Sequence, residues 1–312
     1  MVAIVFFIAS VGLTLAALTV AGFLGDYWWP VDLIANFRPQ LGVASLVVGL
    51  WLFAAKWRRT GWIVVAAAVV NLGLLGWLWL PPGGEDPPPD AERLRVVTFN
   101  VLGNNTQYTD VVDWLAEVDA DVVFLHEASR PWEEAMINSD LGYRVEATRD
   151  DDGIFGTLVL VRPGAEIQSF GFNQGEPRSV EVRLTTFEDR EVSLLGIHPL
   201  APTTEDRAGL RDAQVRYAAQ WAARQTGPTI VTGDFNAGPW SHVFYRLLDD
   251  GGLRNSQRGF GLDATFPANS NLAFRIAIDH LLHSGDVWVA ERSLGPPLGS
   301  DHFPLIVDLL IG

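Results

Sequence analysis

Eighty residues at the start of this chain carry almost no charge, and that feature limits the fold more than any other. Val2 to Leu24 is an apolar run without an ionisable residue, Pro39 to Ala55 is a second, and Trp62 to Leu80 is a third, broken only by Asn71. A membrane-crossing helix needs about 20 mainly apolar residues, with a range of about 17–25. The three runs therefore predict three transmembrane helices over residues 1–80. A cleaved leader does not fit, because no basic stretch precedes the first run and two more runs follow it. Lys56, Arg58 and Arg59 cluster between the second and third runs, whereas the first loop holds Asp26, Asp32 and only Arg38. Basic loops stay in the cytoplasm. The N-terminus is thus expected inside, in a multi-pass cell-membrane protein, with everything after Leu80 extracytoplasmic. Trp28, Trp29, Trp57, Trp62, Trp77 and Trp79 fall near the expected helix ends, where indole favours the interface.

Residues 81–92 begin PPGGEDPPP and predict an extended linker, because proline stiffens the chain and removes backbone donors. Residues 93–312 are expected to form one further domain, the catalytic one. Five of the chain's 37 acids and four of its 22 Lys and Arg residues precede Ala91, which leaves 32 and 18, a formal charge of −14. Lys56 is the only lysine. Nonspecific nucleic-acid binding rests on basic residues, so a long duplex is disfavoured as a tight ligand. The absence of cysteine excludes disulfides, thiolate metal sites and thiol nucleophiles.

From Arg93 the pattern becomes short apolar strands mixed with amphipathic helices. Strands are expected at Leu94–Val101, Asp121–His126, Thr157–Val161, Ser179–Thr186, Val192–His198, Thr229–Thr232, Ile278–His283 and Val287–Ala290. Helices are expected at Tyr108–Glu117, Arg207–Arg224 and Ser241–Asp249. No strict βαβ order repeats, which favours a layered α/β sandwich over a doubly wound sheet.

Several strands end in polar or ionisable residues. VVTF leads to Asn100, VVFL to His126-Glu127, LLGI to His198, IVTG to Asp234-Phe235-Asn236, and IAI to Asp279-His280; Ser300-Asp301-His302 precedes Pro304. Burying carboxylates costs several kcal/mol unless they are paired or hold a metal. Taken singly, each ending has a plainer reading: Asp234 as a turn former, Glu127 as a helix cap, His198 as a packed core residue, Asp279 as a strand end and 300–302 as a loop. Six such endings together point to one convergent site at a sheet edge.

The motifs TFNV (98–101), LHE (125–127), GIHPLAP (196–202), GDFNAGPWS (233–241), IDHLL (278–282) and GSDHFPL (299–305) occur in an order that resembles the endonuclease/exonuclease/phosphatase superfamily. The resemblance covers about Arg93 to Leu310, and the N-terminal anchor looks like a bacterial membrane-bound branch. It implies a four-layer α-β-β-α sandwich, deoxyribonuclease-like, with the site at one edge of the paired sheets. It also implies that Glu127 binds Mg²⁺ or Mn²⁺ with Asn100 and Asp301 nearby, and that Asp234 orients or deprotonates the attacking water. Asn236 would donate to a phosphate oxygen, His302 would be held by Asp279, and His198 would stabilise the transition state or protonate the leaving group.

The sequence departs from that pattern at His126, where a Gln is usual. The imidazole would add a donor there, or, if protonated, lower the metal affinity. Neither the tyrosine some relatives use nor a carboxylate supporting His198 is assignable. Arg178 and Arg275 are candidate phosphate contacts or surface ion-pair residues, and His242, His280 and His283 receive no role. His280 should face away from Asp279 by strand alternation. The implied substrate is a phosphate ester: nucleic acid, phospholipid or small molecule. Two other classes stay open, a non-catalytic extracytoplasmic binding module on the same fold and a membrane protein that works through its helices. The latter is disfavoured because the apolar runs lack ionisable residues.

Overall fold

In the computed structural model, residues 2–84, 86–148, 156–163, 165–170, 179–185 and 190–312 are described. The chain forms two compact units. One comprises Met1–Pro82 with Ala237–Tyr245 and Gln257–Leu262, and the other comprises Gly83–Asn236, Arg246–Ser256 and Asp263–Gly312.

The first unit is built on helices α1 (Val2–Ala21), α2 (Trp29–Asp32), α3 (Arg38–Ala54) and α4 (Arg58–Gly76). Three stretches are long and apolar enough to cross a membrane: Val2–Ala21, Trp29–Ala54 and Arg58–Trp79. The second is longer than the run from Pro39 implied. Pro30 and Pro39 occupy first-turn positions of α2 and α3, where a missing N–H costs nothing, and a 3₁₀ turn over Leu33–Phe37 joins them. The extension brings a charge inside, contrary to the reading of uncharged spans. Arg38 is buried; its Nη1 donates to the Thr19 carbonyl (3.0 Å) and to Asn71 Oδ1 (3.2 Å). Asn71 Nδ2 donates to Thr19 Oγ1 at 2.8 Å, so the polar groups satisfy one another in an apolar bundle. Gly49 lets α3 and α4 approach, since a Cβ there would lie 2.6 Å from Val65 Cγ2.

The two later segments of this unit are bonded to the helix ends. The Gly238 amide donates to Asn36 Oδ1 (2.7 Å), and the His242 amide donates to Asp32 Oδ1 (2.8 Å). His242 Nδ1 also lies 3.0 Å from that oxygen. The Gly259 and Gly261 amides donate to the Leu78 carbonyl at 2.8 and 3.2 Å. Ala35, Leu78 and Trp240 form a small core with Leu74, Leu75 and Leu262 packed on it.

The second unit holds β1 (Glu92–Asn100), α5 (Tyr108–Val118), β2 (Val122–His126), α6 (Arg130–Ile137), β3 (Arg144–Thr148), β4 (Thr157–Val161), β5 (Glu166–Phe170), β6 (Ser179–Thr185), β7 (Glu191–Gly196), α7 (Glu205–Ala222) and β8 (Thr229–Asp234). After α8 (His242–Gly251), which starts in the first unit, come β9 (Arg254–Asn255), β10 (Asp279–His283), β11 (Val287–Leu294) and β12 (Leu305–Ile311). Two six-stranded mixed sheets result, ordered β11-β12-β1-β2-β4-β3 and β5-β6-β7-β8-β10-β9.

Alternation along β1 explains the layering. Leu94 and Val96 face the core between the sheets with Phe124, Val182, Leu194, Ile230 and Leu281, whereas Val97 and Phe99 face outward onto Val111, Trp114 and Leu115 of α5 and Trp132 of α6. On the other sheet α7 packs against β8 and buries Val215, Ala218, Ala219 and Ala222. This is the expected α-β-β-α sandwich. Helix α6 and strands β3, β5, β9 and β12 are additional to the sequence reading. Gly233 has φ +143°, and a Cβ there would collide with the Ile197 carbonyl, so β8 tolerates only glycine before Asp234.

His283, at the end of β10, is buried, and its Nδ1 lies 2.8 Å from the Ser284 carbonyl. Burial holds the imidazole down to about 4. Its folded value lies below the ordinary 6.5, so the unfolded chain takes the proton first. The stability this neutral ring contributes is complete above pH 6.5 and is lost as pH falls from about 6.5 to 4, by roughly 3 kcal/mol in all. Thermal unfolding at pH 7.5 and pH 4.5 should show this loss in the native chain. The loss should be smaller by a comparable amount in His283→Gln; an unchanged difference would refute it.

Candidate active site

The sheet topology brings the polar strand endings to one edge. β1 runs parallel to β2, and β7 runs parallel to β8. Their C-terminal ends therefore deliver Asn100, His126-Glu127, His198 and Asp234-Phe235-Asn236 to the same side. β10 is antiparallel to β8, with Asp279 paired to Asp234. β12 is antiparallel to β1, so the residues before it, Ser300-Asp301-His302, arrive beside Asn100.

Asp234 is central and buried. Its Oδ2 accepts from Asn100 Nδ2 (3.1 Å) and lies 3.6 Å from His198 Nε2 and 3.8 Å from His302 Nε2. Its Oδ1 accepts the Asn236 amide at 2.9 Å. Burial raises the Asp234 carboxyl above the usual range and Asp279 adds to this, while His302 and His198 act against it. His302 Nδ1 lies 2.8 Å from Asp279 Oδ2. Burial disfavours the charged ring, but the charge and hydrogen bond of Asp279, with Asp234 and Asp301, push it up to about 10. One ligand atom each from Asp234, Asp279 and His302 lie within 4.8 Å of one another.

Glu127 forms the open side of the site. Its Oε1 accepts from Asn100 Nδ2 (3.0 Å), its Oε2 accepts the Gly103 amide (3.3 Å), and His198 Nε2 lies 3.8 Å from Oε1. Its side chain is 27% exposed, and its φ of +56° is a strained conformation for glutamate. Asp301 is half-buried; burial raises its carboxyl, His302 lowers it, and the charges of Glu127 and Asp234 raise it further. Asn236 stands in the left-handed region (φ +50°), and its Nδ2 donates to the Pro199 carbonyl at 2.9 Å.

All eight candidate residues, Asn100, Glu127, His198, Asp234, Asn236, Asp279, Asp301 and His302, thus lie in the second unit at one sheet edge. His126 lies behind them. It is buried between Thr98 Oγ1 (3.2 Å from Nε2) and Thr157 Oγ1 (3.3 Å from Nδ1). Burial holds it well below its usual range, with His198 and His302 adding to this, which opposes the protonation considered above. Arg275 is turned to the chain: Nε donates to Ser270 O (3.0 Å), Nη2 donates to Ala268 O (3.3 Å), and the guanidinium covers the Phe303 ring. Arg178 lies outside the described residues, as do residues 150–155 and 173–177. His280 packs on Phe235, away from Asp279 as alternation requires.

Two supporting residues escaped the sequence reading. Ser300 Oγ donates to the Asn100 carbonyl (2.6 Å) and accepts the His302 amide (3.0 Å). Thr265 Oγ1 accepts the Ile278 and Asp279 amides at 3.4 and 3.3 Å. Ser300 was visible in the GSDH motif; Thr265 carried no signal in its surroundings.

The sandwich and its polar edge define a class of hydrolase folds, and comparison with known proteins places the chain in one family. The family model for the Endonuclease/Exonuclease/phosphatase family matches residues 97–302, and the chain belongs to that family. Its members are phosphoesterases that use divalent metals. Solved structures share the fold at low identity. A D. rerio TDP2 humanized by 14 mutations aligns at TM-score 0.58 and 18% identity, over 70% of this chain and 98% of that one. The human Nocturnin catalytic domain with bound sulfate aligns at 0.57 and 18%, over 73% and 100%. A Bacteroides thetaiotaomicron mannosyl-6-phosphatase aligns at 0.54 and 18%, over 69% and 99%. No curated protein sequence matches the chain.

Proposed function

We propose that the chain is a membrane-anchored phosphoesterase that hydrolyses phosphodiester or phosphomonoester bonds by in-line attack of water, with Mg²⁺ or Mn²⁺ as cofactor. The observation that carries this reading is the convergence on Asp234 of Asn100, His198 and the His302–Asp279 pair, with Glu127 beside them. Residues 1–80 serve as the anchor, 81–92 as the linker and 93–312 as the catalytic domain. The basic loop at Lys56–Arg59 supports a cytoplasmic N-terminus and an extracytoplasmic catalytic domain.

The donor set fits a hard divalent cation. Glu127 and Asp301 offer carboxylate oxygens and Asn100 an amide oxygen, which here accepts the Leu102 amide at 3.1 Å; burial chiefly raises the Asp301 carboxyl, and the charges of Glu127 and Asp234 add a repulsion that a cation would relieve. These three residues would hold the ion, which supplies charge for a phosphate oxygen and the leaving oxygen when bound.

The remaining roles belong to the chain itself. Asp234 accepts a proton from the attacking water and aims its lone pair at phosphorus; its buried position raises its basicity for that task. The side-chain Nδ2 of Asn236, which gives one proton to the Pro199 carbonyl, donates its other proton to a non-bridging phosphate oxygen. His302, oriented by Asp279, donates to a second such oxygen as charge develops. His198 Nε2 faces the same space and delivers a proton to the departing oxygen. The water oxygen bonds to phosphorus, the ester P–O bond breaks, and the released alkoxide ends protonated as an alcohol.

The test is turnover by the full chain in detergent on a simple phosphodiester, a phosphomonoester, DNA, RNA and phospholipid, with Mg²⁺ or Mn²⁺ and with a chelator. Turnover of at least one substrate, abolished by the chelator and restored by the metal, is expected. Metal-independent turnover, or none at all from the folded chain, would overturn the reading.

A further inference from the structure

Beside the site, the loop from Asp263 to Ile278 ends in an apolar tip that no core absorbs. Leu272 and Phe274 lie on a short 3₁₀ turn, Leu272–Phe274, and each is 69% exposed. The tip is firmly built. Asn271 Oδ1 accepts the Ala273 amide, and the Arg275 guanidinium ties the Ala268 and Ser270 carbonyls together over Phe303. Its base is tied to the catalytic residues: the Ala268 amide donates to the Asp301 carbonyl at 2.6 Å, and the Phe266 ring lies 4.8 Å from that of His302. Two large apolar side chains are thus held in water by a braced loop whose roots touch Asp301 and His302. Scattered exposed apolar residues are ordinary, but a rigid pair at the rim of a site is a recognition element.

The rest of the chain identifies the occupant. Three helices able to cross a membrane precede the catalytic unit, and only Pro81–Ala91 separates Leu80 from β1. Nine residues of chain separate Leu272 from Leu262, which packs on Leu78 at the end of the third stretch. So short a link to helices able to cross a membrane points to a lipid ligand, whose acyl boundary takes up Leu and aromatic side chains. The formal charge of −14 beyond Ala91, with no lysine there, opposes a polyanion as the extended ligand. We infer that the site acts on the phosphoester of a membrane lipid, with Leu272 and Phe274 engaging the apolar part beside the headgroup. This rests on the phosphoesterase reading above. Water adds to the lipid phosphorus, the P–O bond to the headgroup or to the lipid alcohol breaks, and that oxygen leaves as a hydroxyl.

The experiment uses the full chain in vesicles of phosphatidylcholine, phosphatidylglycerol and phosphatidic acid, with bis(p-nitrophenyl) phosphate and single-stranded DNA as soluble probes, in Mg²⁺ or Mn²⁺. The native chain should release headgroup or inorganic phosphate from the vesicles. Leu272→Ser combined with Phe274→Ser should reduce that rate about tenfold or more, the effect of two lost apolar contacts, and should change hydrolysis of the soluble diester less than about twofold. Cleavage of DNA or the soluble diester without any attack on lipid would overturn the inference and leave the phosphoesterase reading standing. Equal loss on vesicle and soluble probes would also overturn it, by showing the tip to be a structural brace. Absence of turnover on every probe would remove the phosphoesterase reading and this inference with it.

Discussion

Asp234→Asn should reduce kcat by about a thousandfold or more with the fold intact, because it removes the proposed proton acceptor and leaves its surroundings in place. The side chain keeps its size, and its oxygen can still accept the Asn236 amide that now binds Oδ1 at 2.9 Å. What disappears is a buried carboxylate whose basicity is raised by desolvation and by Asp279. The new amide would also meet Asn100 Nδ2, a donor facing Oδ2 at 3.1 Å. Steady-state kinetics on whichever substrate is turned over, with circular dichroism as a control for folding, gives the answer. A variant within tenfold of the native rate would show that Asp234 is not the acceptor.

Glu127→Gln should raise the Mg²⁺ concentration needed for half-maximal activity by about a hundredfold, and abolish most of the stabilisation that Mg²⁺ gives the chain. The carboxylate is partly exposed, unlike the buried Asp234 and Asp279, and the replacement removes its charge while keeping its shape. One of its two oxygens would become an amide facing Asn100 Nδ2 or the Gly103 amide, both donors. Activity and melting temperature measured across a Mg²⁺ titration separate this from a loss of catalytic power. Identical titrations for native and variant chains would exclude Glu127 from the metal site.

Much of this site was legible because β-sheet geometry converts sequence order into position. Asn100, His198 and Asp234 each follow an apolar run of about four residues, and parallel pairing of β1 with β2 and β7 with β8 sends such endings to one edge. The Asp279–His302 pair depended on something less visible. It needs β10 to run back along β8 with Asp279 opposite Asp234, and a register across strands leaves no local trace. His126 was harder still: the two threonines that enclose its ring belong to β1 and β4, so its resistance to protonation follows from tertiary burial alone. Helix α6, where the sequence reading gave no element, carries Pro131 in its first turn, a position that suits proline. The second apolar stretch starts before Pro39 because Pro30 and Pro39 likewise sit in first turns.

The seats that Asp32, Asn36 and Leu78 offer to residues 238, 242, 259 and 261 bear on how the protein is made and inherited. The ribosome finishes the helices long before it reads residue 238, so the acceptors at their ends stand ready for partners that are synthesised later. Trp240 and Leu262 pack there with Ala35, Leu74, Leu75 and Leu78. A chain begun at Asp90 would leave both side chains in search of cover, and a fusion to foreign helices would fare no better without equivalents of Asp32 and Asn36. The helices and the later segments they seat are therefore expected to descend together, with substitutions at Asp32 or Asn36 tracking those at the segment after Asn236.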